Sequence, residues 1–253
     1  MEENVNGVLL VTEIVNNDYR TAAIFQKYSI DYCCGGKRPL ETACALMGVD
    51  AGLVIKELEE VKRDLRISNP LLLQQWDIHF LTAYIVNVHH LYLKNTIPAV
   101  KLLLDEFVKG HEKQFVYLGE MQQTFHQLAD LLLPLMKQEE EVIFPYIRQL
   151  SHAYLDKEPY AHLLIRGLRK RVKEAISQEH LTVTDKLLSL QKITGGFVTP
   201  ANVCTKHKVV IAKLKELDND INQHFYLENE ILFPRLLQLE YELLQQPGNV
   251  NAL

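Results

Sequence analysis

The residues best suited to chemistry are His224 and Glu228, four positions apart in Asn222-Gln-His-Phe-Tyr-Leu-Glu-Asn-Glu-Ile-Leu-Phe-Pro-Arg235. On a helix that spacing stacks the two side chains one turn apart on one face. Leu217, Ile221, Ile231 and Leu232 share the face. An imidazole and a carboxylate inside an apolar stripe each need a partner, because burial without one is unfavourable by several kcal/mol. Two kinds of partner are open: a metal ion, or a buried hydrogen-bonded network.

The pattern recurs upstream. Gln138–Leu150 aligns without a gap on Leu227–Leu239, so that Glu139 falls on Glu228, Glu141 on Glu230 and Phe144-Pro145 on Phe233-Pro234. Two similar helices, each carrying a carboxylate into an apolar face, predict a pseudo-symmetric pair around one site, as in bundles that bridge two metal ions with carboxylates. The repeat fails at Leu135, which stands where the second copy has His224. His126 does not stand in for it, since it lies nine residues further upstream, roughly 13 Å along a helix axis. Two more helical stripes carry an imidazole: Leu81, Ile85, His89, Leu93 and Ile176, His180, Val183, Leu187. The candidate donors are therefore His89, Glu139, His180, His224 and Glu228, a borderline set that suits iron, manganese or zinc. Five donors are few for two ions, so a site for one ion is a second reading.

The other histidines, His79, His90, His111, His126, His152, His162 and His207, fall off the inward stripes or near helix ends. Cys204 and His207 form a C-x-x-H without the second ligand pair that a structural zinc site needs. Glu140 and Glu141 belong to a solvated face, with Glu140 also placed to support a ligand from behind. Cys33 and Cys34 adjoin Gly35-Gly36. They are either a redox-active or metal-handling thiol pair, whose thiolates a helix start would favour, or two small, partly buried hydrophobes in a tight turn.

Four long helices must position these groups. They are expected over about 75–110, 114–151, 159–194 and 201–246. Pro98 is expected to kink or split the first, and Pro134, Pro145 and Pro234 to bend theirs. A smaller helical unit precedes them. In it Val8–Val15 is an apolar opening, and Asn17 or Asp18 caps a helix over Tyr19–Tyr28. Gly35-Gly36 then breaks the chain, Pro39 opens a helix that ends near Gly48, and Asp50 caps another whose inner face is Leu53, Leu58, Val61 and Leu65. Ser68-Asn69-Pro70 marks the boundary. The fold class is all-α: a small helical domain over 1–68 and a four-helix bundle over 71–247, with no period-2 strand pattern.

The 253 residues are 47% hydrophobic and 23% charged, with a net charge of −5, which disfavours a nucleic-acid surface. No apolar run approaches the ~20 residues of a membrane span, and Met1-Glu2-Glu3 lacks a basic signal-peptide start. The expected location is the cytoplasm. Four cysteines at irregular spacing do not make a disulfide framework.

Asp31-Tyr-Cys-Cys-Gly-Gly-Lys37, then Glu-Glu-x-Val-Ile-Phe-Pro145 and His224-x-x-x-Glu-Asn-x-Ile-Leu-Phe-Pro234, resembles the repair-of-iron-centres family, the ScdA/YtfE-like hemerythrin-like proteins of bacteria. The similarity runs over nearly the whole chain. It implies a hemerythrin-like four-helix bundle behind a small N-terminal domain, and a non-haem di-iron centre. It also implies a role in restoring iron–sulfur clusters damaged by nitric oxide or oxidants. By position, His89, His180 and His224 match the family's helix ligands, Glu139 and Glu228 its bridging carboxylates, and Cys33 and Cys34 its paired cysteines. Leu135 departs from the pattern, which has His there. The implied partners are iron–sulfur proteins as clients. Two roles are open to the N-terminal unit: docking on the bundle, or forming a homodimer. The leading reading is an iron donor or repair protein rather than a conventional enzyme. The alternatives are a module that binds or senses dioxygen or nitric oxide, and a degenerate member without metal.

Overall fold

A computed structural model describes residues 6–32, 36–62, 73–158 and 161–245. Among them there is no strand, only an isolated antiparallel bridge between Leu10 and Pro39. The thiols Cys33 and Cys34 and the boundary at Ser68-Asn69-Pro70 lie outside the described residues.

The N-terminal unit holds α1 (Val11–Asn17), α2 (Ala22–Lys27), α3 (Leu40–Met47) and α4 (Ala51–Lys62). Asp18 caps the helical stretch that starts at Tyr19, which opens as a 3-10 turn rather than as α-helix. Its amide closes α1 by donating to the Ile14 carbonyl, and its carboxylate accepts from the Arg20 amide and guanidinium before a 3-10 turn leads into α2. Gly48 ends α3 at φ 68°, a left-handed conformation in which a Cβ is unfavourable. Asp50 caps α4, its Oδ1 accepting from the Gly52 amide at 2.7 Å. Val54 and Leu58 form the buried face of α4, whereas Leu53, expected inside, is 48% exposed. Behind the cysteine pair, Gly36 is fixed by contact: a Cβ there would meet Thr12 Cγ2 at 2.6 Å and the Tyr32 carbonyl at 2.7 Å.

The bundle has four long rods. The first is α5 (Ile78–Tyr84), a π segment (Ile85–His90) and α6 (Leu91–His111); the second is α7 (Leu118–Gln138), a π segment (Glu139–Ile143) and α8 (Phe144–Leu155). The third is α9 (Ala161–Ile193). The fourth is α10 (Thr205–Tyr226), a π segment (Leu227–Leu232) and α11 (Phe233–Gln245). Pro98 and Pro134 sit inside α6 and α7, and neither splits its helix. The irregularity lies at the π segments, where the amide of Phe144 reaches back to the Glu139 carbonyl, Phe233 to Glu228 and Leu91 to Val86, five residues instead of four. Pro145 and Pro234 follow two of these wide turns. A residue without an N–H is well placed where the regular ladder is already interrupted, in the first turn of the next helix.

Two apolar clusters fill the interior. The larger joins Val11, Phe25, Leu40 and Leu58 of the N-terminal unit to Leu93, Leu104, Leu132, Leu135, Val183 and Ile221 of the bundle. The N-terminal helices thus pack on the bundle, where Lys208 Nζ also donates to Asn16 Oδ1 at 3.1 Å. The smaller holds Leu81, Ile85, Ile143, Phe144, Ile165, Ile231 and Leu232. On every rod the passage from one cluster to the other crosses a buried ionisable residue: His90, Glu139, His180, and His224 with Glu228. Among the described residues no helix is long and apolar enough to cross a membrane.

Candidate metal centre

Between the clusters, ligand atoms of His90, Glu139, His224 and Glu228 all lie within 4.8 Å of one another, and all four residues are buried. His90 Nε2 is 3.1 Å from His224 Nε2 and 3.3 Å from Glu139 Oε2. His224 Nε2 is 3.2 Å from Glu228 Oε1 and 3.8 Å from Glu139 Oε2. His180 stands on the other side of the same carboxylates, its Nε2 3.2 Å from Glu139 Oε1 and 3.5 Å from Glu228 Oε2. Each carboxylate therefore turns one oxygen to the His90–His224 pair and the other to His180.

The structure moves the first-rod histidine by one residue. His89, expected from the sequence as the ligand, turns its Nδ1 to Asp220 Oδ1 at 3.0 Å; the imidazole against the carboxylates is that of His90. The physical cause is the π segment. A ladder of four-residue steps through Leu81 and Ile85 arrives at His89, but a wide turn makes the next step five, and five from Ile85 is His90. Glu139, His180, His224 and Glu228 meet as neighbours. Leu135 is 2% exposed and belongs to the larger apolar cluster. By the internal repeat it is the counterpart of His224, and His180 is, among the described residues, the one imidazole on its side of the carboxylates, so the half of the site around His180 is the one with fewer donors.

Of the groups behind the cluster, Glu140 was legible in the sequence as a support for a ligand and Asn229 was not. His90 Nδ1 donates to Glu140 Oε1 at 2.7 Å, and Lys94 Nζ holds the same carboxylate at 2.7 Å. His180 Nδ1 donates to Asn229 Oδ1 at 3.1 Å. With Nδ1 used as a donor, a neutral ring keeps its lone pair on Nε2, the nitrogen facing the carboxylates. Glu140 and Asn229 each follow directly on one of the two buried carboxylates, Glu139 and Glu228. Cys204 and His207 do not combine. Cys204 Sγ lies 3.5 Å from His111 Nε2, and His207 Nε2 meets the Tyr117 hydroxyl at 2.6 Å.

Electrostatics separates the two acids. Burial acts to raise Glu139, but the His180 and His90 imidazoles against it outweigh that and bring it down to about 2. Glu228 is pushed well above the usual carboxylate range by burial and by the Glu139 charge. Two carboxylates in one dry space do not both ionise unless positive charge sits with them. Glu139 Oε2 and both oxygens of Glu228 are buried without a hydrogen bond. Such atoms are rare in folded proteins. Imidazole nitrogens and carboxylate oxygens converging at 3 to 4 Å, with three of the four oxygens lacking a hydrogen bond, fit a cation held among them, with N and O donors typical of iron, manganese or zinc.

Comparison with known proteins agrees with this geometry. Residues 82–236 match the family model described as the hemerythrin HHE cation binding domain, and residues 10–62 match ScdA_N, described as a domain of unknown function (DUF542). The iron-sulfur cluster repair protein ScdA of Staphylococcus haemolyticus is 26% identical over 224 residues, covering 88% of this chain and 96% of that protein. The iron-sulfur cluster repair protein YtfE of Escherichia coli O81 is 29% identical over 227 residues, covering 86% and 91%. The YtfE protein of Edwardsiella ictaluri is 27% identical over 224 residues, covering 86% and 91%.

Proposed function

Because the chain belongs to the hemerythrin HHE cation binding domain family, we propose that it holds non-haem iron among His90, Glu139, His180, His224 and Glu228 and serves the repair of iron–sulfur clusters in client proteins after nitrosative or oxidative damage. The observation that carries the reading is the division of oxygens: Glu139 and Glu228 each face two groups of imidazoles with one oxygen apiece, and three of those four oxygens have no hydrogen bond. Iron in that position supplies a redox-active cation that is transferable to a damaged cluster. The chain's own residues do the rest. Glu140 and Asn229 fix the rings of His90 and His180 with Nε2 inward. Phe144 and Phe225 lie along the same rings, His180 stacking on Phe225 at 4.2 Å between centroids, and keep water from the donors. Glu139 and Glu228 together match the charge of one divalent ion.

The test uses the full chain purified without oxygen and loaded with Fe2+. Added to an iron–sulfur dehydratase inactivated by nitric oxide, it is expected to restore activity faster than the same amount of free Fe2+, and His224→Ala and Glu139→Ala are expected to lose both the bound iron and the effect. Recovery no better than with free Fe2+ overturns the repair role. The absence of bound iron in the parent overturns the metal centre itself.

Leu135 favours a second reading. An apolar side chain where the repeat has an imidazole leaves the His180 half with fewer protein donors, which suits a site that takes dioxygen or nitric oxide as an outside ligand. An absorption change on adding either gas, with no cluster recovery, selects this reading over the first.

A further inference from the structure

Of the three imidazoles around the carboxylates, two are held from behind and one is not. His90 Nδ1 has Glu140 and His180 Nδ1 has Asn229. His224 Nδ1 is buried and has no hydrogen bond. One helical turn earlier on α10 stands Asp220, and residues four apart are neighbours on one helix face. Its Oδ1 accepts from His89 Nδ1 at 3.0 Å, while its Oδ2 is buried and also has no hydrogen bond. An orphaned donor position and an orphaned acceptor thus face the same stretch of α10. The His89 ring lies parallel to that of His224, at 13° and 6.0 Å between centroids, so His224 stands beside the ring that holds Asp220.

We infer that Asp220 is the positioning residue of His224, its Oδ2 receiving the Nδ1–H of that ring when Nε2 gives its lone pair to a cation, while its Oδ1 stays with His89. This rests on the metal-centre reading above. A neutral imidazole that ligates through Nε2 must carry its proton on Nδ1, and a carboxylate behind Nδ1 both fixes this tautomer and makes Nε2 a better donor. Asp220 then does for His224 what Glu140 does for His90. His89, the histidine that a regular helix would have turned inward, becomes the second arm that holds the Asp220 carboxylate in place. The opposing view is that Asp220 is only part of the wall of the open cleft of 510 Å³ it lines with Tyr92, Glu216 and Gln223.

The experiment compares the full-length parent with Asp220→Asn, Asp220→Ala and His224→Ala, using Zn2+ as a diamagnetic probe. Affinity is read by competition with a chromophoric chelator, and the ring protons of the 15N-labelled, Zn2+-loaded protein by NMR. Asp220→Ala is expected to weaken Zn2+ binding about 10- to 100-fold, the usual effect of losing a group behind a metal ligand. Asp220→Asn, which keeps an acceptor without the charge, is expected to fall between parent and Ala. The parent should show a slowly exchanging Nδ1–H on His224 that Asp220→Ala loses. Unchanged affinity and an unchanged Nδ1–H signal in Asp220→Ala overturn the role of Asp220 when His224→Ala has lost the ion. If His224→Ala binds Zn2+ as the parent does, the metal-centre reading falls, and this inference with it.

Discussion

At the scale of single residues, the site turns on which of two adjacent histidines faces inward. Both are buried, His89 to 3% exposure and His90 to 0%, so burial does not distinguish them; their partners do. His90→Ala is expected to weaken Fe2+ binding by more than tenfold and by more than His89→Ala does, since the first removes a donor atom and the second only a hold on Asp220. Anaerobic titration of both variants reads the order, and a larger loss in His89→Ala would return the ligand to the position that the sequence alone predicts. Leu135 permits the opposite experiment. Leu135→His places an imidazole in the half occupied by His180, and the variant is expected to carry more iron per chain than the parent. Without iron it should be less stable, by about 1–3 kcal/mol, because an unpaired imidazole then replaces a buried leucine. Metal analysis together with urea unfolding, with and without iron, measures both effects. Equal iron content in the two proteins would mean that the repeat misplaces the missing donor.

At the scale of elements, the four rods and the two carboxylates were legible in the sequence because their signals are local. Apolar stripes, the matched Glu…Phe-Pro segments and the caps at Asp50 and Gly48 need no knowledge of the rest of the fold. The π segments were not legible. One widened turn leaves composition and mean periodicity almost unchanged, yet it rotates everything beyond it by one position. Only the prolines of Phe144-Pro145 and Phe233-Pro234 hinted that the ladder was interrupted there, and the first rod has no such proline beside Ile85–His90. Leu53 is a milder case: on a short amphipathic helix, Leu53 and Val54 compete for the inner face, and packing chose Val54. The start of the first rod offers a separate test. Asp77 caps α5 by accepting from the amides of His79 at 2.8 Å and Phe80 at 3.2 Å. Burial acts to raise its carboxyl, but those bonds outweigh it and hold it below the ordinary range. An acid depressed in the folded state contributes stability that is present above its unfolded pKa and lost as the pH falls through the folded one. Asp77→Ala should therefore destabilise the protein by about 1 kcal/mol at neutral pH, and the difference should shrink once the pH is taken below the folded pKa of Asp77. A difference that does not change with pH would mean that the cap does not depend on the charge.

At the scale of the whole molecule, the candidate metal centre is the polar layer between two apolar clusters, and those clusters are unequal. The larger is reinforced by the N-terminal helices, which pack on α10; the smaller is built from the ends of the rods, Ile78–Tyr84, Phe144–Leu155 and Phe233–Gln245, with π-segment residues such as Ile85, Ile143 and Ile231 and part of α9. Without a cation the layer joins them through two carboxylates, three of whose four oxygens lack a hydrogen bond, and each such buried group lowers stability by about 1–3 kcal/mol. A cation that binds only the folded chain reverses this, adding about 2.7 kcal/mol at a free concentration one hundred times its Kd. The gain should not be spread evenly. The larger cluster keeps its packing when the layer is empty, while the smaller one has little else to hold it, so removing the ion by chelation should speed amide hydrogen exchange chiefly in α5, α8 and α11 and much less in α1, α6 and the first half of α10. Exchange measured by mass spectrometry before and after chelation, and again after iron is restored, gives the comparison. Uniform acceleration along all four rods would show instead that the two clusters open as one unit and that the layer is not their seam.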